Sequence, residues 1–263
     1  MKTIQSKDGT QLAYDVYGSG PALIFVAGAM CFRSFDPILQ DVQEFAKHFT
    51  VYIYDRRGRG DSGDTPPYSR EREIEDIDAM IAASGGPARV YGHSSGAVLA
   101  LEAAARLGDR VLQATLYDPS YVHDEAEKET FRQLSLKVHR LLQEGKNGAA
   151  MTAFLKGIGM PGIFVFLMRL MPAWRKIKAL APTLAYDIAL TEDLPPLELA
   201  SKIRVPVQIV VGEKSPASIH SVARQLMRAI PAARLDVLAG QDHMVNAKVL
   251  LPIVLSFLNQ GAR

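Results

Sequence analysis

A serine flanked by glycines is the feature of the sequence best suited to chemistry. Residues 92–96 are Gly-His-Ser-Ser-Gly, which places Ser94 in a G-x-S-x-G pentapeptide. An apolar segment, residues 88–91, comes before it, and an Ala-rich segment begins at Ala97. A strand, a sharp turn and a helix in this order project a serine hydroxyl from a sheet, and glycines beside the serine let strand and helix approach closely. The pattern therefore predicts that Ser94 is a nucleophile.

A serine hydroxyl is a weak nucleophile at neutral pH, and His243 is the candidate base that would activate it. His243 follows the last predicted strand and precedes the C-terminal helix. In a parallel sheet this position lies at the same carboxyl edge as Ser94. The alternative is an ordinary histidine of a surface loop. His93 is expected to point away from Ser94 because the two residues are adjacent.

Short apolar segments alternate with amphipathic ones along most of the chain. Strands are predicted at residues 3–6, 11–17, 22–26, 51–54, 88–91, 112–117, 207–211 and 235–238. The first two flank an Asp-Gly turn and should form an antiparallel ribbon. The alternation predicts an α/β fold with a mostly parallel sheet and helices on both faces. Between residues 121 and 199 the alternation gives way to four amphipathic helices, which indicates an all-helical insertion.

Composition and charge exclude several classes of protein. The formal net charge is +2 and the charges are interspersed, so no nucleic-acid partner is expected. Cys31 is the single cysteine and is interpreted as a packing residue. The first residues lack the apolar core of a signal peptide, and the most apolar stretch is short and interrupted by Arg169. We therefore expect a cytoplasmic protein with no membrane span.

Four stretches together resemble the α/β-hydrolase fold superfamily, and the similarity runs nearly end to end. They are residues 27–29, 55–62, which match D-x-R-G-x-G-x-S, 92–96 and 240–243. The resemblance implies about eight strands, a core formed by residues 1–120 and 200–263, and a helical cap formed by residues 121–199. It also implies a mechanism without a cofactor. The turn at 55–62 is interpreted as structural, with charges that pair locally, and no metal site is predicted.

The resemblance also implies an oxyanion hole, a pair of backbone N–H groups that stabilise charge on the attacked carbonyl oxygen. By similarity these are the amides of Ala29 and Ser95. The family often has a histidine where this sequence has Ala27. Because backbone amides are the donors, this substitution leaves the hole itself intact but removes a side chain that often braces the loop.

The acid that should orient His243 is missing from its commonest position in the family, where this sequence has Ser215. In other members the acid follows the preceding strand, and Asp118 occupies that place here. We therefore predict Asp118 as the third catalytic residue. Glu213 is the reserve, and Asp242, next to the base in sequence, ranks last.

These residues together predict a serine hydrolase that cleaves a carboxylic ester, a thioester or a lactone through an acyl-enzyme. Candidate pocket residues are Met30, Phe154, Phe164, Trp174 and Met244. Their apolar side chains favour a small-molecule substrate with an apolar group. The oligomeric state is left open.

Other functions stay open at this stage. The same fold and residues support hydrolysis of carbon–carbon bonds and cofactor-free lyase or oxygenase chemistry. A carrier-bound thioester is a further substrate class, for which the cations of the insertion give a weak indication. A small-molecule receptor or a catalytically silent member is the alternative from another class, motivated by Ala27 and Ser215. Turnover distinguishes them, because a receptor binds without rapid hydrolysis.

Overall fold

The computed structural model describes residues 1–171 and 174–258 and is centred on an eight-stranded sheet. The strands are β1 (Lys2–Gln5), β2 (Gln11–Tyr17), β3 (Ala22–Val26), β4 (Thr50–Tyr54), β5 (Ala88–His93), β6 (Val111–Tyr117), β7 (Val207–Gly212) and β8 (Ala233–Leu238). Their spatial order is β1-β2-β4-β3-β5-β6-β7-β8. The β1–β2 and β2–β4 pairs are antiparallel, and the other neighbouring pairs are parallel. The predicted fold class is confirmed.

Helices cover both faces of this sheet. Those nearest the sheet are α1 (Asp36–Phe45), α2 (Arg70–Ala83), α3 (Ser95–Arg106), α10 (Ala217–Ala229) and α11 (Ala247–Leu258). Apolar residues of α2, α3 and α10 form the core on one face, and those of α1 and α11 form the core on the other. The central strands β3 and β7 are largely apolar because both of their faces are covered, and every residue of β7 is buried.

Six α-helices and a short 3-10 helix are found among the described residues between β6 and β7, where the sequence predicted an insertion. The α-helices are α4 (Glu125–Gln143), α5 (Asn147–Gly157), α6 (Gly162–Leu170), α7 (Trp174–Ala179), α8 (Leu184–Thr191) and α9 (Leu197–Ala200). The four predicted helices correspond to α4–α7, whereas α8 and α9 were not predicted. We call α4–α9 the cap. The predicted boundaries between core and cap, at residues 121 and 199, stay a prediction. Residues 172–173 of the predicted cap and residues 259–263 of the predicted core lie outside the described residues.

The cap has a hydrophobic core of its own. Val138, Met151, Leu155, Leu184 and Ile188 are all buried in it. The loop that follows β3 adds Ala29, Met30 and Phe32 to the edge of the same cluster. The cap is therefore packed onto the carboxyl edge of the sheet. No helix among residues 1–171 and 174–258 is long and apolar enough to cross a bilayer.

The closest backbone approach in the core lies where β5 turns into α3. A β-carbon added at Gly96 would lie 2.2 Å from the backbone oxygen of Val26, and one added at Gly92 would lie 2.2 Å from the oxygen of Gly96. Both distances are shorter than any van der Waals contact. Glycine is therefore required at both positions for α3 to pack against β3 and β5.

We expect Gly96→Ala to lower the free energy of unfolding by about 3 kcal/mol or more, because the methyl group meets backbone that has no room to move. Gly86→Ala is the matched control, since a β-carbon there meets nothing within 4 Å. Its effect should stay within about 0.5 kcal/mol. Urea unfolding followed by circular dichroism measures both, and equal effects of the two variants would contradict the steric argument.

Candidate active site

Ser94 occupies the turn between β5 and α3. Its backbone has φ 59° and ψ −123°, a conformation that non-glycine residues seldom adopt. This strain turns the side chain away from the sheet at the N-terminus of α3. The local geometry is the one that the G-x-S-x-G pattern predicts for a projecting serine.

His243 and Asp118 are brought together by loops that follow β8 and β6. The His243 Nδ1 lies 2.9 Å from Asp118 Oδ2, and the Asp118 side chain is fully buried. A carboxylate accepts hydrogen bonds, so Nδ1 carries the proton and Nε2 is left as the acceptor. The arrangement fixes the imidazole in the tautomer that a general base requires.

Ser215 has a role that the sequence did not indicate. Its hydroxyl donates a 2.6 Å hydrogen bond to Asp118 Oδ2, and the backbone N–H of Gly212 donates to Oδ1 at 3.2 Å. With His243, three donors therefore surround this buried carboxylate. Such donors replace the water that a buried carboxylate loses. The residue at the family's usual acid position thus donates a hydrogen bond to the candidate acid, Asp118, which follows the neighbouring strand.

The two other candidate acids lie away from the imidazole. Glu213 is exposed, and its Oε2 accepts a hydrogen bond from the backbone of Gly240 at 2.7 Å. Asp242 is also exposed, and its Oδ1 accepts from the backbone of Met244 at 2.8 Å. Both carboxylates stabilise loops near His243 rather than bonding to it.

The Ser94 hydroxyl bonds to a residue that the sequence analysis did not single out. Ser94 Oγ lies 3.2 Å from Ser120 Oγ, and Ser120 Oγ lies 3.1 Å from the carbonyl oxygen of Asp118. Because a carbonyl only accepts, Ser120 donates to it and Ser94 donates to Ser120. Among the hydrogen bonds of the described residues, none joins Ser94 to His243. The Ser94 hydroxyl must therefore rotate before it can transfer its proton to the imidazole.

The loop after β3 lies directly against Ser94. A β-carbon added at Gly28 would be 3.1 Å from Ser94 Cβ. Ala29 is the next residue of this loop, and Ser95 is the first residue of α3, where backbone N–H groups lack partners within the helix. The two residues predicted to supply an oxyanion hole thus stand on either side of the serine.

Arg59 braces this loop where the sequence lacks the family's histidine at Ala27. Its Nη1 donates a 2.8 Å hydrogen bond to the carbonyl oxygen of Gly28, and its Nη2 donates to Asp187 Oδ2 of α8 at 2.6 Å. The Arg59 side chain is fully buried. A single guanidinium therefore links the loop beside Ser94 to the cap.

The other arginines of the same turn also pair with distant carboxylates. Arg56 bonds to Glu73 of α2 and to Asp187, which is 2.9 Å away, and Arg57 bonds to Asp76 of α2. Burial alone would raise the pKa of Asp187, but the two guanidinium groups beside it hold that pKa below its ordinary value. The structural role of the turn stays a prediction, but the expectation that its arginines pair locally is wrong.

His93 packs against His243, the candidate base. Its ring centroid lies 4.9 Å from that of His243, and its Nε2 donates a 2.8 Å hydrogen bond to the backbone oxygen of His243. Burial, together with the nearby imidazole of His243, lowers the pKa of His93 to about 4. His93 is therefore neutral at neutral pH and helps to hold the histidine loop.

The structure separates the five predicted pocket residues into two groups. Phe154 is buried in the cap core, and Met30 and Trp174 pack against that core. Phe164 is 60% exposed on α6, because Val165 and Met168 are the residues that this helix turns inward. Met244 is 72% exposed beside the histidine loop. Three of the five thus share one apolar cluster near Ala29, whereas Phe164 and Met244 face outward.

The described residues offer no second reactive centre of the kinds considered from the sequence. Among them, no group of three or more His, Cys, Asp or Glu side chains is arranged to hold a metal ion. Cys31 is partly buried beside the core, and burial raises the pKa of its thiol to about 11. A thiol with this pKa is protonated at neutral pH and is a poor nucleophile.

The chain belongs to the alpha/beta hydrolase family, whose model matches residues 23–248. It is similar to the crystal structure of an alpha/beta hydrolase from Sphaerobacter thermophilus, with 39% identity, a TM-score of 0.86 and coverage of 98% of this chain and 100% of that one. The enol-lactonase from Burkholderia xenovorans shares the fold at 21% identity and a TM-score of 0.72, with 98% and 100% of the two chains covered.

Curated relatives match a shorter part of the chain. Proline iminopeptidase PfmaB of Pestalotiopsis fici is 30% identical over 138 residues, which are 50% of this chain and 49% of that protein. The chain therefore spans about half the length of this relative. Hydrolases are found by each comparison, which agrees with the predicted class of enzyme.

We expect His93 to make the protein less stable in mild acid. The unfolded chain takes up a proton on this residue below about pH 6.5, whereas the folded protein excludes it down to about pH 4, so stability falls as the pH falls through this window. Between about pH 7 and pH 5 the loss should be about 1 kcal/mol, less than full desolvation would give because the ring keeps some contact with solvent.

His93→Gln should remove this loss while keeping a hydrogen-bond donor for the His243 carbonyl. Asp41 titrates in an overlapping window with the opposite sign, because burial raises its pKa to about 6. Urea unfolding of wild type and of His93→Gln is measured at pH 7 and at pH 5. The contribution of Asp41 is the same in the two proteins and cancels in the comparison. Identical pH dependence in wild type and variant would show that His93 is not held neutral by the fold.

Proposed function

We propose that this protein hydrolyses carboxylic esters, including thioesters and lactones, with Ser94 as nucleophile, His243 as general base and Asp118 as the acid. The observation that carries the proposal is the 2.9 Å contact between His243 Nδ1 and the buried Asp118 carboxylate, at the same edge of the sheet as Ser94. An imidazole held in this tautomer presents Nε2 as a proton acceptor. Neither Glu213 nor Asp242 supplies such a contact.

The proposed reaction begins when the Ser94 hydroxyl leaves Ser120 and donates its proton to Nε2 of His243. Ser94 Oγ then attacks the carbonyl carbon, and the negative charge that forms on the carbonyl oxygen is stabilised by the N–H groups of Ala29 and Ser95. His243 returns the proton to the leaving alcohol or thiol. Water attacks the resulting acyl-enzyme by the same route, and Ser94 is released.

The apolar cluster beside Ala29 favours an apolar acyl or alcohol group. Met30, which follows Ala29 of the proposed oxyanion hole, packs against the cluster that contains Phe154. A substrate that replaces water against these side chains gains binding free energy from the hydrophobic effect. We therefore propose a small, predominantly apolar ester as the substrate. The similarity to an iminopeptidase makes proline 4-nitroanilide the informative negative control beside 4-nitrophenyl esters.

Reaction with a fluorophosphonate should modify the protein once, on Ser94, because an activated serine attacks this electrophile without needing a recognised substrate. Intact-mass spectrometry checks the stoichiometry. Ser94→Ala should abolish labelling, and Ser120→Ala, which removes the neighbouring hydroxyl, should retain it. Labelling that survives in Ser94→Ala, or a folded wild type that never labels, would refute the assigned nucleophile.

Asp118→Asn should lower kcat/KM for a 4-nitrophenyl ester by about 10³–10⁴-fold, because an amide neither stabilises the imidazolium nor fixes the tautomer of His243. Glu213→Gln is the matched control and should change kcat/KM by less than about twofold, since its carboxylate is exposed and bonds only to Gly240. The reverse ranking would move the acid to Glu213. Equal, mild effects would leave the base without an essential acid.

A further inference from the structure

Helix α6 presents apolar side chains to solvent on most of its circumference. Exposed fractions are 61% for Ile163, 56% for Phe166, 50% for Leu167 and 68% for Leu170. Only Val165 of this helix is buried, and Met168 lies half-buried one turn later on the same inner face. A helix that needed only to cover the cap core would be polar on its outer face. This outer face is therefore suited to an apolar partner.

The chain around α6 is purely cationic. Residues 145–186 hold six of the 30 Lys and Arg residues and none of the 28 Asp and Glu residues. The six are Lys146, Lys156, Arg169, Arg175, Lys176 and Lys178, and all are exposed. Among ion pairs of residues 1–171 and 174–258, only Lys146 of the six takes part, with Glu144. The rest of the chain consequently carries an excess of carboxylates, so the net positive charge of the protein comes from this segment.

Four of these six cations line two shallow grooves beside α6. The first is lined by Lys146, Arg169 and Lys178 together with Trp174. The second is lined by Lys137, Lys156 and again Arg169. Cations and an indole ring at the border of an apolar face are the composition found where proteins meet the headgroups of a bilayer.

We propose that the outer face of α6 and the six surrounding cations form a peripheral docking surface for membranes that contain anionic phospholipid. An occupant must offer apolar volume to α6 and negative charge to its flanks, and an anionic bilayer surface offers both. The helix has nine residues and is about 14 Å long, too short to cross a hydrocarbon layer of about 30 Å but suited to lying in the interface. Cations near such a surface each contribute to binding until salt screens them.

Docking in this orientation would place the candidate active site close to the membrane. The inner face of α6 packs through Val165 and Met168 on the cluster that includes Ala29 and Met30. Only the thickness of the cap then separates the bilayer from the loop beside Ser94. This binding mode is independent of the proposed ester chemistry, because it depends on the outer cap alone.

Sedimentation with lipid vesicles tests the proposal, using Ser94→Ala so that no lipid can be cleaved. We expect binding to vesicles of phosphatidylcholine mixed with phosphatidylglycerol, and at least tenfold weaker binding to vesicles of phosphatidylcholine alone. Sodium chloride at about 1 M should weaken binding to the anionic vesicles at least tenfold. Failure to bind anionic vesicles at low salt, or equal binding to both kinds, would overturn the proposal.

Two double variants examine the two halves of the surface. Phe166→Ser with Leu170→Ser removes apolar side chains, and Arg169→Glu with Lys178→Glu reverses two charges. Each should weaken binding to anionic vesicles at least tenfold, because insertion and attraction act together. All four side chains are exposed, so the thermal unfolding temperature should be unchanged. Unchanged binding by either folded variant would contradict the assignment of this surface.

Matched controls carry the same kinds of substitution elsewhere. Leu112→Ser with Val249→Ser removes two apolar side chains that are 44% and 40% exposed, and Lys202→Glu with Lys248→Glu reverses two exposed charges outside the cap. Both should bind like the parent protein.

Two other partners could cover this surface, and each would give a different experimental result. A dimer in solution that the Phe166 and Leu170 variant splits would assign the surface to a second copy of this chain. The protein could instead bind a soluble acidic acyl carrier protein, lose that binding in the same variants, and show no binding to vesicles. This result would assign the surface to a carrier protein. Either result overturns the membrane proposal. Because labelling of Ser94 by fluorophosphonate needs no membrane, failure of one proposal is distinguishable from failure of the other.

Discussion

The contact on which the site depends most is the buried ion pairing of Arg56 and Arg59 with Asp187. These partners are separated by 131 and 128 residues in the sequence, yet the three side chains are almost completely buried. Charges taken out of water are stable only while they are paired, so the removal of one partner leaves the others uncompensated. This constraint joins the turn after β4, the loop beside Ser94 and helix α8. The inner part of the cap is thereby fixed to the sheet, while α6 has no comparable bond to it among the described residues.

The position of Asp118, the proposed acid, follows from the way that parallel strands end at one edge of the sheet. The loops that follow β6 and β7 begin side by side, because these two strands are neighbours and run parallel. A carboxylate on either loop can therefore meet an imidazole from the loop after β8. Here the carboxylate that meets His243 is that of Asp118, and Ser215, on the other loop, donates to it at 2.6 Å. One loop thus supplies the carboxylate and the other supplies a hydrogen-bond donor to it.

Local patterns in the sequence were sufficient to predict the sheet and most helices. The strands are continuous apolar segments and the elbow has a five-residue signature, so neither depends on distant residues. Helix α8 was missed because it is short and its charged residue, Asp187, faces inward to meet arginines from another part of the chain. Ser120 and His93 were missed as partners of Ser94 and His243 for the same reason. Their contacts are set by how loops from three strands converge, which no periodicity encodes. Outward-facing Phe164 shows the converse, since apolar character alone does not say which side of a helix faces the core.

The loop that carries His243 is held in part by two hydrogen bonds to its backbone carbonyl oxygens. The hydroxyl of Tyr117, at the end of β6, donates to the carbonyl oxygen of Asp242 at 2.6 Å, and His93, at the end of β5, donates to that of His243 at 2.8 Å. Every amino acid has a carbonyl oxygen, so this anchoring places no demand on which residues surround the histidine. A neighbouring position such as Met244, whose side chain is exposed, is free to diverge in evolution, whereas Tyr117 and His93, remote in sequence, should vary far less. In homologous sequences, the residues that hold this loop should therefore be conserved at the ends of β5 and β6 rather than within the loop itself.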